Sequence, residues 1–255
     1  RVTDLVAEPG ASAVAVGPFG EGVYSVRTDD GTSLLKLRMP WGTTKLLADL
    51  GAYETKRNPD RNNHYGFESI SPECAEQWPS EVFGPPQYTG LPDSNPYSLA
   101  VTHHGVYVAD SGANAILWVD WDGRVRTAAV LPPQPITLPD DPSALGLPAC
   151  VAGLKYSFEP VPTDVELSPH GAYATLLPGG PEDASLGARG SVVKVDLRSD
   201  GVPVAEIRTP VVYLVREPEL PLALSLTVVL HHPIVFRPDG VFTSTSLEEE
   251  LAPGG

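Results

Sequence analysis

Three polar stretches in this sequence carry residues that could hold a hard cation. They are Asp93-Ser94-Asn95, the pair Glu159 and Asp164, and Glu8 with Ser12. His231-His232 stands in a comparable place near the end of the chain. Each stretch comes just ahead of a short alternating apolar run. Carboxylate and amide oxygens suit Ca²⁺, which takes about six to eight oxygen ligands at roughly 2.3–2.6 Å. Asn95, Glu159 and Asp164 are therefore the candidate metal ligands. A cation held there could polarise a carbonyl and activate water for hydrolysis. The same residues have a plainer use. Asn95 before Pro96 and Asp164 after Pro162 can cap turns, because short polar side chains hydrogen-bond nearby backbone.

Other chemistries find less support. Neither a GxxxxGK[ST] nor a GxGxxG loop is present, so no phosphate cradle is read. No GxSxG elbow is present either. Asp110-Ser111-Gly112-Ala113-Asn114 has the look of a small calcium loop. It lacks the length and distal Glu of an EF-hand and reads better as a hairpin turn. His103-His104 falls in another hairpin turn, where a solvated pair is expected. Cys74 and Cys150 are the only cysteines. They can pair as a disulfide tying two long insertions together, remain free thiols, or act as ligands, although no CxxC spacing supports the last.

The elements that must position these residues repeat along the chain. Four turns read Gly, small aliphatic, aromatic: Gly22-Val23-Tyr24, Gly105-Val106-Tyr107, Gly171-Ala172-Tyr173 and Gly240-Val241-Phe242. Each follows an alternating run, namely Ala13 to Val16, Ser98 to Val101, Asp164 to Leu167 and Ile234 to Phe236. Strand, polar turn and strand make a hairpin. Third strands follow in the first three units, at Leu34 to Leu37, Ile116 to Asp120 and Val192 to Asp196. Fourth strands are expected at Thr44 to Leu50, Val125 to Leu131 and Val202 to Ile207. Four antiparallel strands per unit is the blade of a β-propeller, so the fold class is all-β with propeller architecture. Three full repeats and part of a fourth are visible. The aromatic after each Gly is expected to fill the layer between blades. Trp118 and Trp121 are expected to divide, one packing in the blade and one facing a neighbour or solvent.

A single propeller domain or propeller fragment over 1–255 is the expected organisation, interrupted by loop insertions at about 52–92 and 132–160. The stretch Val211 to His232 lacks the repeat pattern. Two endings are therefore open: a small ring completed by Val2 to Val6, or a piece of a larger ring, with six blades one reading of the parent.

Composition sets the outer limits. Acidic residues outnumber basic ones 32 to 17, a net charge of -15. This excludes a nucleic-acid reader, which needs a basic surface to release counterions. It also opposes an anionic membrane surface. No apolar run reaches the roughly 18 residues of a membrane span. Leu220 to Leu230 comes nearest and is broken by Pro221, Ser225 and Thr227. The chain begins at Arg1, and an N-terminal segment ahead of it is expected.

Several longer stretches carry a family resemblance. Ala48-Asp49-Leu50-Gly51-Ala52-Tyr53-Glu54 leads to Asn58-Pro59-Asp60, and Asp93-Ser94-Asn95-Pro96-Tyr97 follows. Phe158-Glu159-Pro160-Val161-Pro162-Thr163-Asp164 then precedes Leu177-Pro178-Gly179-Gly180-Pro181-Glu182-Asp183 and Gly187-Ala188-Arg189-Gly190-Ser191. Together these resemble the ScyD/ScyE family, named for proteins of scytonemin pigment production in cyanobacteria, and its actinobacterial branch above all. The resemblance covers about residues 45–201 and stops near 202. It implies an exported protein, extracellular or periplasmic, with an NHL- or lactonase-like propeller. It implies no particular reaction. Two functions follow as expectations. One is a module binding a small molecule or a protein at the channel mouth and insertions. The alternative is a Ca²⁺-dependent lactonase-like hydrolase.

Overall fold

The computed structural model describes residue 8 and residues 10–168, 171–181, 184–195 and 211–213. The described residues form an all-β protein of four-stranded antiparallel sheets. Strands β1 (Ala11–Val16), β2 (Gly22–Arg27), β3 (Ser33–Arg38) and β4 (Thr44–Asp49) make the first sheet in simple meander order. Helix α1 (Leu50–Arg57) leaves its end, capped by Asp49, whose carboxylate accepts the Ala52 backbone N–H. Strands β5 (His64–Phe67) and β6 (Gln87–Thr89) follow. The second sheet is another meander, β7 (Pro96–Val101), β8 (Gly105–Asp110), β9 (Ala115–Asp120) and β10 (Val125–Val130). After β11 (Gln134–Thr137) and β12 (Lys155–Phe158) comes the third sheet. It holds β13 (Pro162–Ser168), β14 (Gly171–Leu176), β15 (Ser191–Val195) and β16 (Val211–Tyr213).

These three meanders stack face to face in chain order. Val23, Leu35 and Leu37 of the first sheet pack against Val106, Val108, Leu117 and Val119 of the second. The opposite face of the second sheet, with Tyr107, Ala109, Ile116 and Trp118, packs on Val165, Ala172, Ala174 and Val193 of the third. The second sheet is thus apolar on both faces, as its unbroken buried strands require. Its first strand, β7, lies next to both β1 and β13. Among the described residues no helix is long and apolar enough to cross a membrane.

The aromatic that follows each Gly takes the same place in the second and third sheets, where Tyr107 and Tyr173 both face onward along the stack, but not in the first. Tyr107 fills the layer between the second and third sheets, fully buried. Tyr24 points the other way. Val23 faces the second sheet, so Tyr24 shares the outer face with its cross-strand partners Val14 and Lys36. Tyr173 lies in register with Glu166 and Lys194, on the face of the third sheet turned away from the second, and is half-buried. The side-chain period of a strand is two, so shifting the pleat by one residue sends the same motif to the opposite face. The fourth unit at 234–242 and the segment Val2 to Val6 lie outside the described residues. So does 202–207; the strand seen pairing with β15 is β16.

The two stretches expected as loops, 52–92 and 132–160, are largely ordered. Each supplies two strands to a fourth sheet, in the order β11-β12-β5-β6. A small core of Phe67, Cys74, Trp78, Leu138, Val151 and Tyr156 lies beside this insert sheet. Phe67 meets both Trp78 and Tyr156 edge-on, at 4.9 and 5.0 Å between ring centroids. Cys74 and Cys150 form a disulfide across 76 residues of sequence, joining the two insertions. Gly66 is required where β5 meets the segment before β6. Its φ is +84°, and a Cβ there would come within 2.2 Å of the Pro86 carbonyl oxygen.

Candidate functional site

The hairpin joining β8 and β9 is where the insert sheet meets the stack. Asp110 closes it. One carboxylate oxygen accepts the backbone N–H groups of Asn95 (2.6 Å), Gly112 (3.2 Å) and Ala113 (3.2 Å), and the other accepts the Ser94 hydroxyl at 2.7 Å. Complete burial pushes the Asp110 pKa up, and these donors oppose that by favouring the carboxylate. The turn at 110–114 is therefore a self-capped hairpin, as its composition suggests.

Asn114 adopts the left-handed conformation, φ 49°, which turns its amide toward the insert. Its Nδ2 donates to Asp60 Oδ2 at 3.0 Å and to Glu159 Oε2 at 3.2 Å. Its Oδ1 accepts the Val161 backbone N–H at 3.2 Å. Tyr65 on β5 donates its hydroxyl to Asp60 at 2.9 Å, and Tyr88 on β6 donates to Glu159 at 2.9 Å. Asn63 donates to the Tyr65 hydroxyl and to the Leu131 carbonyl, holding β5 to the end of β10. Two carboxylates, two tyrosines and one bridging amide therefore form a continuous network. Asp60, Tyr65 and Asn114 are buried, while Glu159 and Tyr88 remain half-exposed. Burial pushes Asp60 up and keeps both tyrosines protonated.

Glu54 of α1, 1% exposed, lies close enough to Asp110 and Asp60 to feel their charges. Neither of its oxygens accepts a well-formed hydrogen bond. Burial raises its pKa to about 8, and the nearby charges of Asp110, Asp60 and Asp93 add to the rise. Only the Asp93 backbone N–H favours its charged form. Asp60 Oδ1 is likewise buried without a donor, pressed against Gly90. The region is rich in acceptors and short of donors.

The three residues read from sequence as metal ligands serve different partners. Asn95 Nδ2 donates to the Ser111 hydroxyl at 2.9 Å, across the turn that Asp110 closes. Asp164 accepts the Ser98 hydroxyl at 2.6 Å, linking β13 to β7. Glu159 alone belongs to the two-carboxylate network. Among the described residues no three His, Cys, Asp or Glu side chains gather as a metal-holding group. Glu8 pairs with Lys36 and accepts the Tyr24 hydroxyl on the outer face of the first sheet. Ser12 bonds to Ser25 and to the Pro96 carbonyl. His103 and His104 are exposed in the β7–β8 turn, and His231-His232 lie outside the described residues.

Sequence reasoning did not single out Glu54, Asp60, Tyr65 or Tyr88 as site residues, and it preferred a hairpin turn to a calcium loop for the stretch that ends at Asn114. A signal existed. Tyr65-Gly66-Phe67 and Tyr156-Ser157-Phe158 both alternate aromatic and small residues with period two, which marks strands inside the insertions. No protein-family model matches the chain, and no curated protein is significantly similar to it.

Proposed function

We propose that this chain is a non-catalytic binding module built on propeller blades, and that it takes a cationic ligand at the junction of the insert sheet and the second sheet. The observation that carries this reading is the Asp60–Asn114–Glu159 bridge with its two tyrosines. It places half-exposed Glu159 and Tyr88 over a buried, acceptor-rich floor. A net charge of -15 adds long-range attraction for cations. Calcium and small organic amines both fit that chemistry. The serines near the bridge are engaged, Ser94 with Asp110 and Ser111 with Asn95, and both cysteines are tied in the disulfide. Among the described residues no histidine is positioned beside them as a base, so the arrangement suits holding better than nucleophilic attack.

Three meander sheets stacked in chain order, with β7 between β1 and β13, support the propeller reading and the ScyD/ScyE resemblance behind it. The disulfide supports an exported protein, since such bonds persist in oxidising compartments.

The test is thermal denaturation of the wild type and of Glu159→Gln with calcium and with a panel of small amines. A ligand at about 100 times its Kd should stabilise the wild type by about 2.7 kcal/mol. That stabilisation should be lost in the variant, and the ligand should be recovered chemically unchanged. Equal stabilisation of the variant would move the site elsewhere, and consumption of the ligand would make the protein an enzyme.

A further inference from the structure

The end of the stack opposite the insert sheet carries a different surface. The β1–β2 turn presents Phe19, 70% exposed, and the β3–β4 turn presents Trp41, 73% exposed. The β7–β8 turn presents His103, and the β9–β10 turn presents the half-buried Trp121. Contacts link these turns into one ridge. A Cβ on Gly20 would lie 3.8 Å from the Pro40 ring, so the Phe19 and Trp41 turns are neighbours. Phe19 and His103 meet edge-on with centroids 5.5 Å apart, bridging the first and second sheets. The Trp121 indole N–H donates to the His103 carbonyl at 2.9 Å. Beside Trp121 stands the ion pair Arg124–Asp122 at 2.8 Å, both side chains largely exposed.

Phe19 and Trp41 stay mostly exposed among the described residues, and large aromatics standing in solvent at neighbouring turn tips call for an occupant. We infer that this aromatic ridge binds a neutral oligosaccharide. A pyranose ring offers a flat C–H face that stacks on an indole or phenyl ring, and hydroxyls at its rim that an exposed carboxylate and guanidinium can bond. The Arg124–Asp122 pair supplies both groups next to Trp121. Charge narrows the class: a chain of net charge -15 repels polyanionic glycans and anionic bilayers alike. Area narrows it further. A stable protein partner covers about 800 Å² per side. The exposed parts of four rings, each at most ~150–250 Å² when whole, fall short of that. A sugar chain a few rings long matches the ridge.

The inference is independent of the cation site, which lies at the other end of the sheets. It is tested by calorimetry and tryptophan fluorescence with cellohexaose, xylohexaose, maltohexaose and chitohexaose, on wild type, Trp41→Ala and Phe19→Ala. At least one sugar should bind the wild type. Either substitution should weaken binding about tenfold or more, a loss of about 1.4 kcal/mol. Because both side chains are mostly exposed, the variants should unfold within about 2 °C of the wild type. Glu159→Gln should bind sugar normally. No binding of any probe at about 10 mM would overturn the proposal. Undiminished binding by both variants would also overturn it, as would Trp41-dependent capture of phosphatidylcholine vesicles in place of sugar.

Discussion

The second sheet and the insert sheet are both four-stranded and antiparallel, yet they are held together in different ways. The second sheet is a meander of consecutive strands, each paired with the next through a short turn. Both its faces are covered by aliphatic neighbours from the adjoining sheets. The insert sheet draws β5 and β6 from one insertion and β11 and β12 from another, with the whole second sheet between them in the chain. Its core is aromatic and carries the disulfide. Local pairing closes short loops at little entropic cost, whereas the β5–β12 pairing must close a long one. The staple and the dense ring contacts offset that cost, and this difference tells where each region should fail first.

The sharpest contrast is expected from Trp118→Ala. This side chain is 2% exposed between the second and third sheets, and its removal should cost about 3–5 kcal/mol and loosen the whole stack. Urea unfolding followed by far-UV circular dichroism measures it. A loss below about 1 kcal/mol would mean the sheets do not depend on each other as the packing implies.

A pH titration separates the regions next. Burial raises the Glu54 pKa to about 8 in the folded chain, from an ordinary value of 4.5. The unfolded chain therefore releases this proton first as pH rises. Glu54's favourable contribution is complete below about 4.5 and is lost progressively up to about 8, on the order of a few kcal/mol. Glu54→Gln should flatten that decline in a plot of unfolding free energy against pH. An unchanged slope would place the titrating group elsewhere.

Loss of the disulfide should cost about 2–4 kcal/mol, and the loss should fall on the insert. Limited proteolysis of Cys74→Ser/Cys150→Ser should cut within 68–86 or 138–154 while β7 to β10 stay whole. Asn114→Ala should cost about 1–3 kcal/mol, because it leaves buried Asp60 short of a donor and uncouples Glu159 from the hairpin. At the low end, Asp93→Ala removes an exposed ion pair with Arg27 and one of the charges acting on Glu54, two small effects of opposite sign, and should change stability by less than about 1 kcal/mol.

The same contrast explains what could be read from the sequence. Ser98 to Val101 and Ile116 to Asp120 announce themselves by alternation and by turn residues between them, and they are strands. Trp118 and Trp121 divide between core and surface as their spacing suggests. Tyr24 was harder, because the phase of the pleat in the first sheet is fixed by contacts with the second and not by its own turn. The insert sheet was less legible still. His64-Tyr65-Gly66-Phe67 finds its partner Tyr156-Ser157 across the entire second sheet, and no local pattern names that partner. Candidate-site residues suffered similarly. Asp60, Asn114 and Glu159 meet only because three distant segments converge, and Glu54 owes its raised pKa to burial and to the charges of Asp110, Asp60 and Asp93.

Native-state hydrogen exchange on the oxidised and reduced protein tests the two-region account most directly. On reduction, amides of β5, β6, β11 and β12 should lose protection while those of β8 and β9 keep theirs, the mark of a stapled sheet docked on an independently stable stack. If all six strands lose protection together and by the same amount, the insert sheet is an inseparable part of the stack, and the account of two regions is wrong.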